Sequence, residues 1–198
     1  MNTTEQTLTA ITGGIGSGKS VVSRILRILG FPVYDCDSRA KALMDADEII
    51  KQQIINDIDR ETIASDGSID RRRLASIVFA DAEKLAALNA IVHSAVRLDI
   101  RRWADRHDCR HIFVETAILF QSGLNETVSD EWRVCAPDET RIQRVMKRNS
   151  LSREEVEARI ASQIYVLEAG MRIPPLHEII NDDIHAVIPQ IQSLLRQY

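Results

Sequence analysis

Apolar positions near the start of the chain switch from a strand-like run to helical spacing and back. Residues 7–12 (TLTAIT) form a short β-branched run, as a buried strand does. A glycine-rich loop follows at 13–20 (GGIGSGKS). Val21, Val22, Ile25, Leu26, Ile28 and Leu29 then recur three and four apart, which predicts an amphipathic helix with Gly30 placed as its C-cap. Residues 31–34 (FPVY) read as a second short strand running into Asp35-Cys36-Asp37. Strand, loop, helix, strand predicts a parallel pair with a right-handed crossover.

Further strands are expected at 111–115 (HIFVE), at 132–136 (WRVCA) and, more weakly, at 178–180. Between Tyr34 and His111 the pattern is helical. Ile49, Ile50, Gln53, Ile54 and Ile58 carry a stripe, and Asp66-Gly67 marks a turn. Asp70 is placed to cap a helix reaching Val78, and Asp81 a longer one running towards His107. A crossover needs only about a dozen residues. This stretch is several times longer and reads as an inserted helical subdomain. Beyond the fourth strand, Asp138 is expected to N-cap the helix ETRIQRVMKRN. Ser152 to Glu155 form a capping box for a helix to about residue 169, and a last helix spans 184–196.

Gly13, Gly18, Lys19 and Ser20 satisfy G-x-x-x-x-G-K-[ST]. Glycines let the backbone curl until successive N–H groups converge on phosphate oxygens. The helix beginning near Lys19 aims its positive end at the same anion. Lys19 can reach the β- and γ-phosphates, and the Ser20 hydroxyl can ligate Mg²⁺. With a strand before and a helix after, residues 13–21 are expected to bind a nucleoside triphosphate. The chain has no N-K-x-D motif for reading guanine and no LSGGQ-like signature. A small-molecule kinase with a lid and an acceptor-binding insertion remains.

Composition narrows the setting. The chain has 198 residues, 44% of them hydrophobic and 27% charged, with net charge −4. One domain, or one carrying a large insertion, fits that length. No run approaches the roughly 18 apolar residues of a membrane span, and the N-terminus lacks a signal-peptide pattern. Mild acidity argues against a general nucleic-acid binder. Cys36, Cys109 and Cys135 lack CxxC spacing, so reduced thiols in the cytoplasm are expected. The five histidines have no zinc-ligand spacing.

Asp37 falls just past the second strand, at the sheet edge where α/β proteins place ligands. Its carboxylate either takes the proton of an attacking hydroxyl or merely caps the next helix together with Asp35. Glu115, ending the third strand, either holds Mg²⁺ through water or is simply solvated. Arg71, Arg72 and Arg73 form one basic cluster. His93, Arg97 and Arg101 share one helix face, and Arg141, Arg144 and Arg148 another. Most such arginines line solvated faces. Two clusters in a phosphate-handling protein also fit two jobs, one holding an anionic acceptor and one closing over ATP.

The combination resembles the dephospho-CoA kinase family. It comprises TGGIGSGKS, Tyr34-Asp35-Cys36-Asp37, Asp70-Arg71 to Leu74, His93 to Val96, Ala117 to Gly123, Arg144, Arg148, Gln163 and Ile180-Asn181. In order and spacing it covers nearly the whole chain. The resemblance implies ATP-dependent phosphorylation of the ribose 3′-hydroxyl of dephospho-CoA, the last step in making coenzyme A. It implies a P-loop NTPase fold, a five-stranded parallel sheet flanked by helices, with a helical insertion and a helical lid. It makes Asp37 the base, aided by Lys19 and Arg148, and places Lys41, Arg71, His93 and Arg97 with Asp37 on the acceptor side. Asn181 and Arg148 join Gly13, Gly14, Ile15, Gly16, Ser17, Gly18, Lys19, Ser20 and Val21 around the nucleotide. The chain departs from the family pattern at Lys41, Ser94, Ala117, Gln121, Arg141 and Val21, where the family usually has Arg, Pro, Pro, Glu, Gln and Thr. Expected segments are a nucleotide core (1–40, 110–137, 175–198), an acceptor-binding insertion (41–109) and a lid (138–174). Expected partners are ATP with Mg²⁺ and dephospho-CoA, without nucleic acid or membrane, for a monomer or weak homo-oligomer. Another small-molecule kinase on the same core, and a nucleotide-dependent switch lacking turnover, are the alternatives.

Overall fold

The computed structural model describes residues 6–163 and 167–197. The chain divides into two compact units: the chain up to Tyr34 together with the chain from Cys109 onward, and Asp35–Asp108.

The first unit is built on a five-stranded parallel sheet. Its strands are β1 (Thr7–Thr12), β2 (Val33–Asp35), β3 (His111–Glu115), β4 (Asp130–Cys135) and β5 (Leu176–Ile180), in the order β2-β3-β1-β4-β5. The central strand β1 sets Ile11 against Glu115 on one side and Trp132 on the other, and Thr12 against Arg133. Side chains alternate across a strand, so Ile11, Trp132 and Val134 share one face. On that face α1 (Lys19–Ile28) and α8 (Val187–Leu195) pack, with Val22, Leu26 and Ile191 closing a core around Phe113, Trp132 and Ile179. Trp132 is fully buried, 5.1 Å from Phe113 between ring centres. Truncating a buried aromatic of this kind costs about 3–5 kcal/mol. A smaller cluster joins α6 (Asp138–Asn149) to α7 (Arg153–Ala161) through Ile142, Val145 and Val156, and Ile15 of the glycine loop packs against it.

The second unit is helical: α2 (Cys36–Ala46), α3 (Glu48–Asp57), α4 (Arg71–Ala80) and α5 (Ala82–Ala104). The isoleucine stripe of α3 is its core, with Ile50, Ile54 and Ile58 packed on Leu74, Val78, Leu85 and Ile91. Aspartates begin each helix. Asp47 caps α3, Asp70 caps α4 and Asp81 caps α5, each by accepting backbone N–H bonds.

Several boundaries differ from the sequence expectation for identifiable reasons. Pro137, not Asp138, is the N-cap of α6; Asp138 sits inside the first turn, where its charge complements the dipole, and pairs with Arg141 at 2.8 Å. The Ser152–Glu155 capping box is present, but α7 ends at Ala161, where its packing on α6 ends. Of the expected extension to 169, residues 164–166 lie outside the described ones and 167–169 are not helical. The last helix starts at Val187 rather than Ile184. The Asp182 carboxylate accepts from the N–H groups of Ile184 and His185, and Asp183 takes φ 69°, which holds this stretch in a turn.

Candidate active site

The buried end of β1 runs straight into the glycine loop, and the loop into α1. At Gly13 φ is 137°, and a Cβ would run into the Val134 carbonyl and the Ser17 hydroxyl; only glycine fits. Gly18 caps α1 at φ 101° with no side-chain bond of its own, and a Cβ there would collide with the Asn181 amide. The first N–H groups of α1 are therefore approached over bare backbone, as an anion requires.

Several side chains are bonded to the backbone of the loop. Lys19 Nζ donates to the Gly13 carbonyl at 2.7 Å. Arg141 Nε donates to the Ile15 carbonyl at 3.0 Å, while the Ile15 N–H donates to Gln163 Oε1 at 2.7 Å. Asn181 Nδ2 donates to the Ser17 carbonyl at 2.7 Å. Arg144 Nη1 donates to the Asn181 carbonyl at 3.0 Å and lies 3.4 Å from that of Gly16; its Nη2 pairs with Asp183 at 2.6 Å. A peptide's C=O and N–H point in opposite directions. The Ile15 and Ser17 carbonyls are engaged by Arg141 and Asn181, so the N–H groups of Gly16 and Gly18, on the opposite edges of the same two peptides, point away from those side chains. The result is a nest of inward N–H groups at a helix N-terminus, an anion site by construction.

Of the sequence-predicted nucleotide residues, Gly13 through Ser20 and Asn181 come together here. Val21 is exposed on α1. Arg148 is exposed in the last turn of α6 and donates to Asn149 at 2.8 Å, away from the loop's hydrogen bonds. Arg141 and Arg144, expected among the charges closing over ATP, instead clasp the loop itself. In the helical unit, Arg71 bonds both oxygens of Asp45, at 2.7 and 2.8 Å, and the Lys41 carbonyl at 3.3 Å. His93 and Arg97 are half-buried on α5, one turn apart. Asp35 caps α2, accepting from the Ser38 N–H at 3.1 Å and its hydroxyl at 2.7 Å. The cap therefore does not involve Asp37, which is exposed in the first turn. As a first-turn carboxylate it complements the α2 dipole without sharing the cap.

Burial, and then the neighbouring Glu178 carboxylate, push the Cys135 thiol up, away from a nucleophilic thiolate. Among the described residues no group of three His, Cys, Asp or Glu side chains is placed to hold a metal. Sequence reasoning missed a second polar feature beside the loop: Thr12, Glu131 and Arg133, bonded together on β1 and β4. Its trace was present in the alternation Glu131-Trp132-Arg133-Val134, charged residues on the strand face opposite an apolar pair.

The parallel sheet, the glycine loop after its central strand and the lysine and serine that open α1 define a P-loop NTPase. The sequence profile of the dephospho-CoA kinase family matches residues 7–172, so the chain belongs to that family. It is 38% identical to the dephospho-CoA kinase of Porphyromonas gingivalis over 93% of this chain and 91% of that one. With the dephospho-CoA kinase of Bacillus anthracis it shares 35% identity over 95% of both. Among solved structures, TT1252 from Thermus thermophilus superposes with TM-score 0.75 at 35% identity, covering 98% of this chain and 96% of that one. Dephospho-CoA kinase from Campylobacter jejuni gives 0.65 at 25% identity, covering 96% of each chain.

Proposed function

We propose that this protein transfers the γ-phosphoryl group of ATP to the ribose 3′-hydroxyl of dephospho-CoA, giving coenzyme A and ADP. Membership of the family supports the acceptor, and the nest of inward N–H groups between Gly13 and Ser20 supports the donor. That nest is the observation that carries the reading. It is already formed, so the triphosphate meets oriented dipoles with no loop to fold.

Phosphoryl transfer asks the protein for position and charge more than for covalent chemistry. In this reading the loop N–H groups and the Lys19 ammonium hold the β- and γ-phosphates. Asp37, two residues beyond β2 and outside the α2 cap, accepts the proton of the 3′-hydroxyl as its oxygen attacks phosphorus and the bond to the ADP oxygen breaks. Ser20, exposed one residue past Lys19, would offer a neutral oxygen to Mg²⁺, which would offset the charge on the phosphate oxygens. We assign the acceptor side to the helical insertion, with Lys41, Arg71, His93 and Arg97, and the lid to α6 and α7, with Arg148 at its exposed end. We place Asn181 beside the donor nucleotide and the reaction in the cytoplasm, carried out by a monomer or weak homo-oligomer.

The test is ADP release measured with ATP and Mg²⁺ across a panel of alcohol acceptors. Turnover dependent on dephospho-CoA is expected. Faster turnover of a nucleoside monophosphate or of shikimate would assign the core to another small-molecule kinase.

A further inference from the structure

The face of the sheet opposite the Ile11–Trp132–Val134 core carries charge where apolar residues would ordinarily sit. The register sets Ala10 against Glu131 and Thr12 against Arg133, so these four positions share that face. Glu131 is 2% exposed. Its Oε1 accepts from Thr12 Oγ1 at 2.6 Å and from Arg133 Nε at 3.0 Å, and its Oε2 accepts from Arg133 Nη2 at 3.1 Å. Arg133 itself is 40% exposed along its side chain. Both residues line a cavity of about 400 Å³, whose walls include Gly13, Phe120, Gln121 and Gln163.

Stability does not account for this arrangement. A buried ion pair yields little net stabilisation, and apolar residues of the same volume often serve as well or better. What the pair does achieve is an immobilised arginine. The carboxylate is fixed within two paired strands and braced by Thr12, so the guanidinium is held at the cavity wall with its rotamers already restricted. Its remaining N–H groups are available to something in the cavity. Phe120 supplies an aromatic surface, the Gln121 amide supplies a donor and an acceptor, and the Gln163 amide, its oxygen taken by the Ile15 N–H, supplies a donor. A flat heteroaromatic ring with acceptor nitrogens at its edge matches those walls.

Position identifies which ring. Lys19 Nζ lies on the Gly13 carbonyl at 2.7 Å and within 3.4 Å of that of Gly14. The lysine of such a loop serves the β- and γ-phosphates, so the Gly13–Gly14 end is the end from which the phosphoryl group departs. The cavity opens there. The Asn181 contact, by contrast, is at Ser17.

Resting on the function proposed above, we infer that this cavity seats the purine nucleoside of the acceptor, and that Arg133, held by Glu131 and Thr12, is a specificity-determining contact to its base. Arg133→Ala should raise the acceptor KM at least about tenfold, the loss expected for a bond from a charged donor, with the ATP KM changed less than about twofold. Arg133→Lys, which keeps the charge but loses the fork, should fall between. Because Arg133→Ala leaves Glu131 buried and unpaired, a Glu131→Leu, Arg133→Leu double variant removes the pair as a unit. It should melt within a few degrees of wild type and show the same loss of dephospho-CoA affinity by titration calorimetry. An unchanged acceptor KM in a folded variant, or an equal rise in the ATP KM, would overturn the assignment. Wild-type protein that neither binds nor turns over dephospho-CoA would overturn the functional reading itself, and that result is read before any variant is made.

Discussion

Replacing Arg144 by alanine isolates the loop's outer support from its inner surface. The guanidinium makes one well-formed bond to a backbone carbonyl, that of Asn181 at 3.0 Å. Such a bond from a charged donor contributes about 1.5–3 kcal/mol. The approaches to Gly16 at 3.4 Å and Ser17 at 3.5 Å are too long to add much. The pair with Asp183 lies at the surface, Asp183 being 71% exposed, and is worth about 0–1 kcal/mol. Arg144→Ala should therefore cost about 1.5–4 kcal/mol. At about 2–4 °C per kcal/mol for a chain of this size, the melting temperature should fall by about 3–16 °C. Losing the restraint on Asn181 also frees the Ser17 carbonyl that Asn181 holds. The N–H groups on the inner side are then no longer fixed before ATP arrives, and ATP affinity should drop by about tenfold or more. Thermal melting without nucleotide and titration calorimetry with ATP and Mg²⁺ measure the two effects separately. A variant that melts lower yet binds ATP as tightly as wild type would refute the claim that Arg144 preorganises the loop.

Three further substitutions have expected outcomes. Asp37→Asn should lower kcat by about 100-fold or more with ATP affinity little changed. Asp35→Ala should instead lower stability by about 1 kcal/mol, because Asp35 is the residue that caps α2; the reverse pattern in kinetics and melting would exchange their roles. His111 is buried with its ring nitrogens 2.8 Å from the Thr7 hydroxyl and 3.1 Å from that of Thr9. Burial, aided by Arg110 and opposed by Asp130, lowers its pKa below the ordinary 6.5. The unfolded chain then binds the proton more readily, so the His111 contribution is full above pH 6.5 and is lost as pH falls through the lower folded value. His111→Gln should lose less stability than wild type between pH 7.5 and 5.5 in urea titrations; an unchanged pH dependence would remove His111 from that role.

Local signals survived into the structure wherever one residue type answers one backbone need. The glycine loop, the capping box at Ser152 and the Asp70 and Asp81 caps all stand where the sequence puts them. Of the stripe at 49–58, Ile50, Ile54 and Ile58 became the core of the helical unit for the same reason, a period that one helix face satisfies, while Ile49 and Gln53 stay exposed. What did not show was settled by residues far apart in the chain, or by local turns and caps that periodicity does not register. Arg141 and Arg144 look like any solvated helix face until α6 is seen beside a loop more than a hundred residues earlier. Which of Asp35 and Asp37 caps α2 turned on where β2 ends. The start of α8 was lost to a turn that Asp182 builds through two backbone bonds, and periodicity carries no trace of it. The Glu131–Arg133 pair needed the register between β1 and β4, which places Thr12 beside it.

Initial-rate assays of ADP release, with ATP and Mg²⁺ fixed and dephospho-CoA varied against a nucleoside monophosphate and shikimate, read the acceptor out of the reaction itself. Saturable turnover with dephospho-CoA is expected, with a product phosphorylated on the ribose 3′-oxygen and little ADP in its absence. ADP release that ignores dephospho-CoA, or that proceeds faster with another acceptor, would contradict the proposed activity.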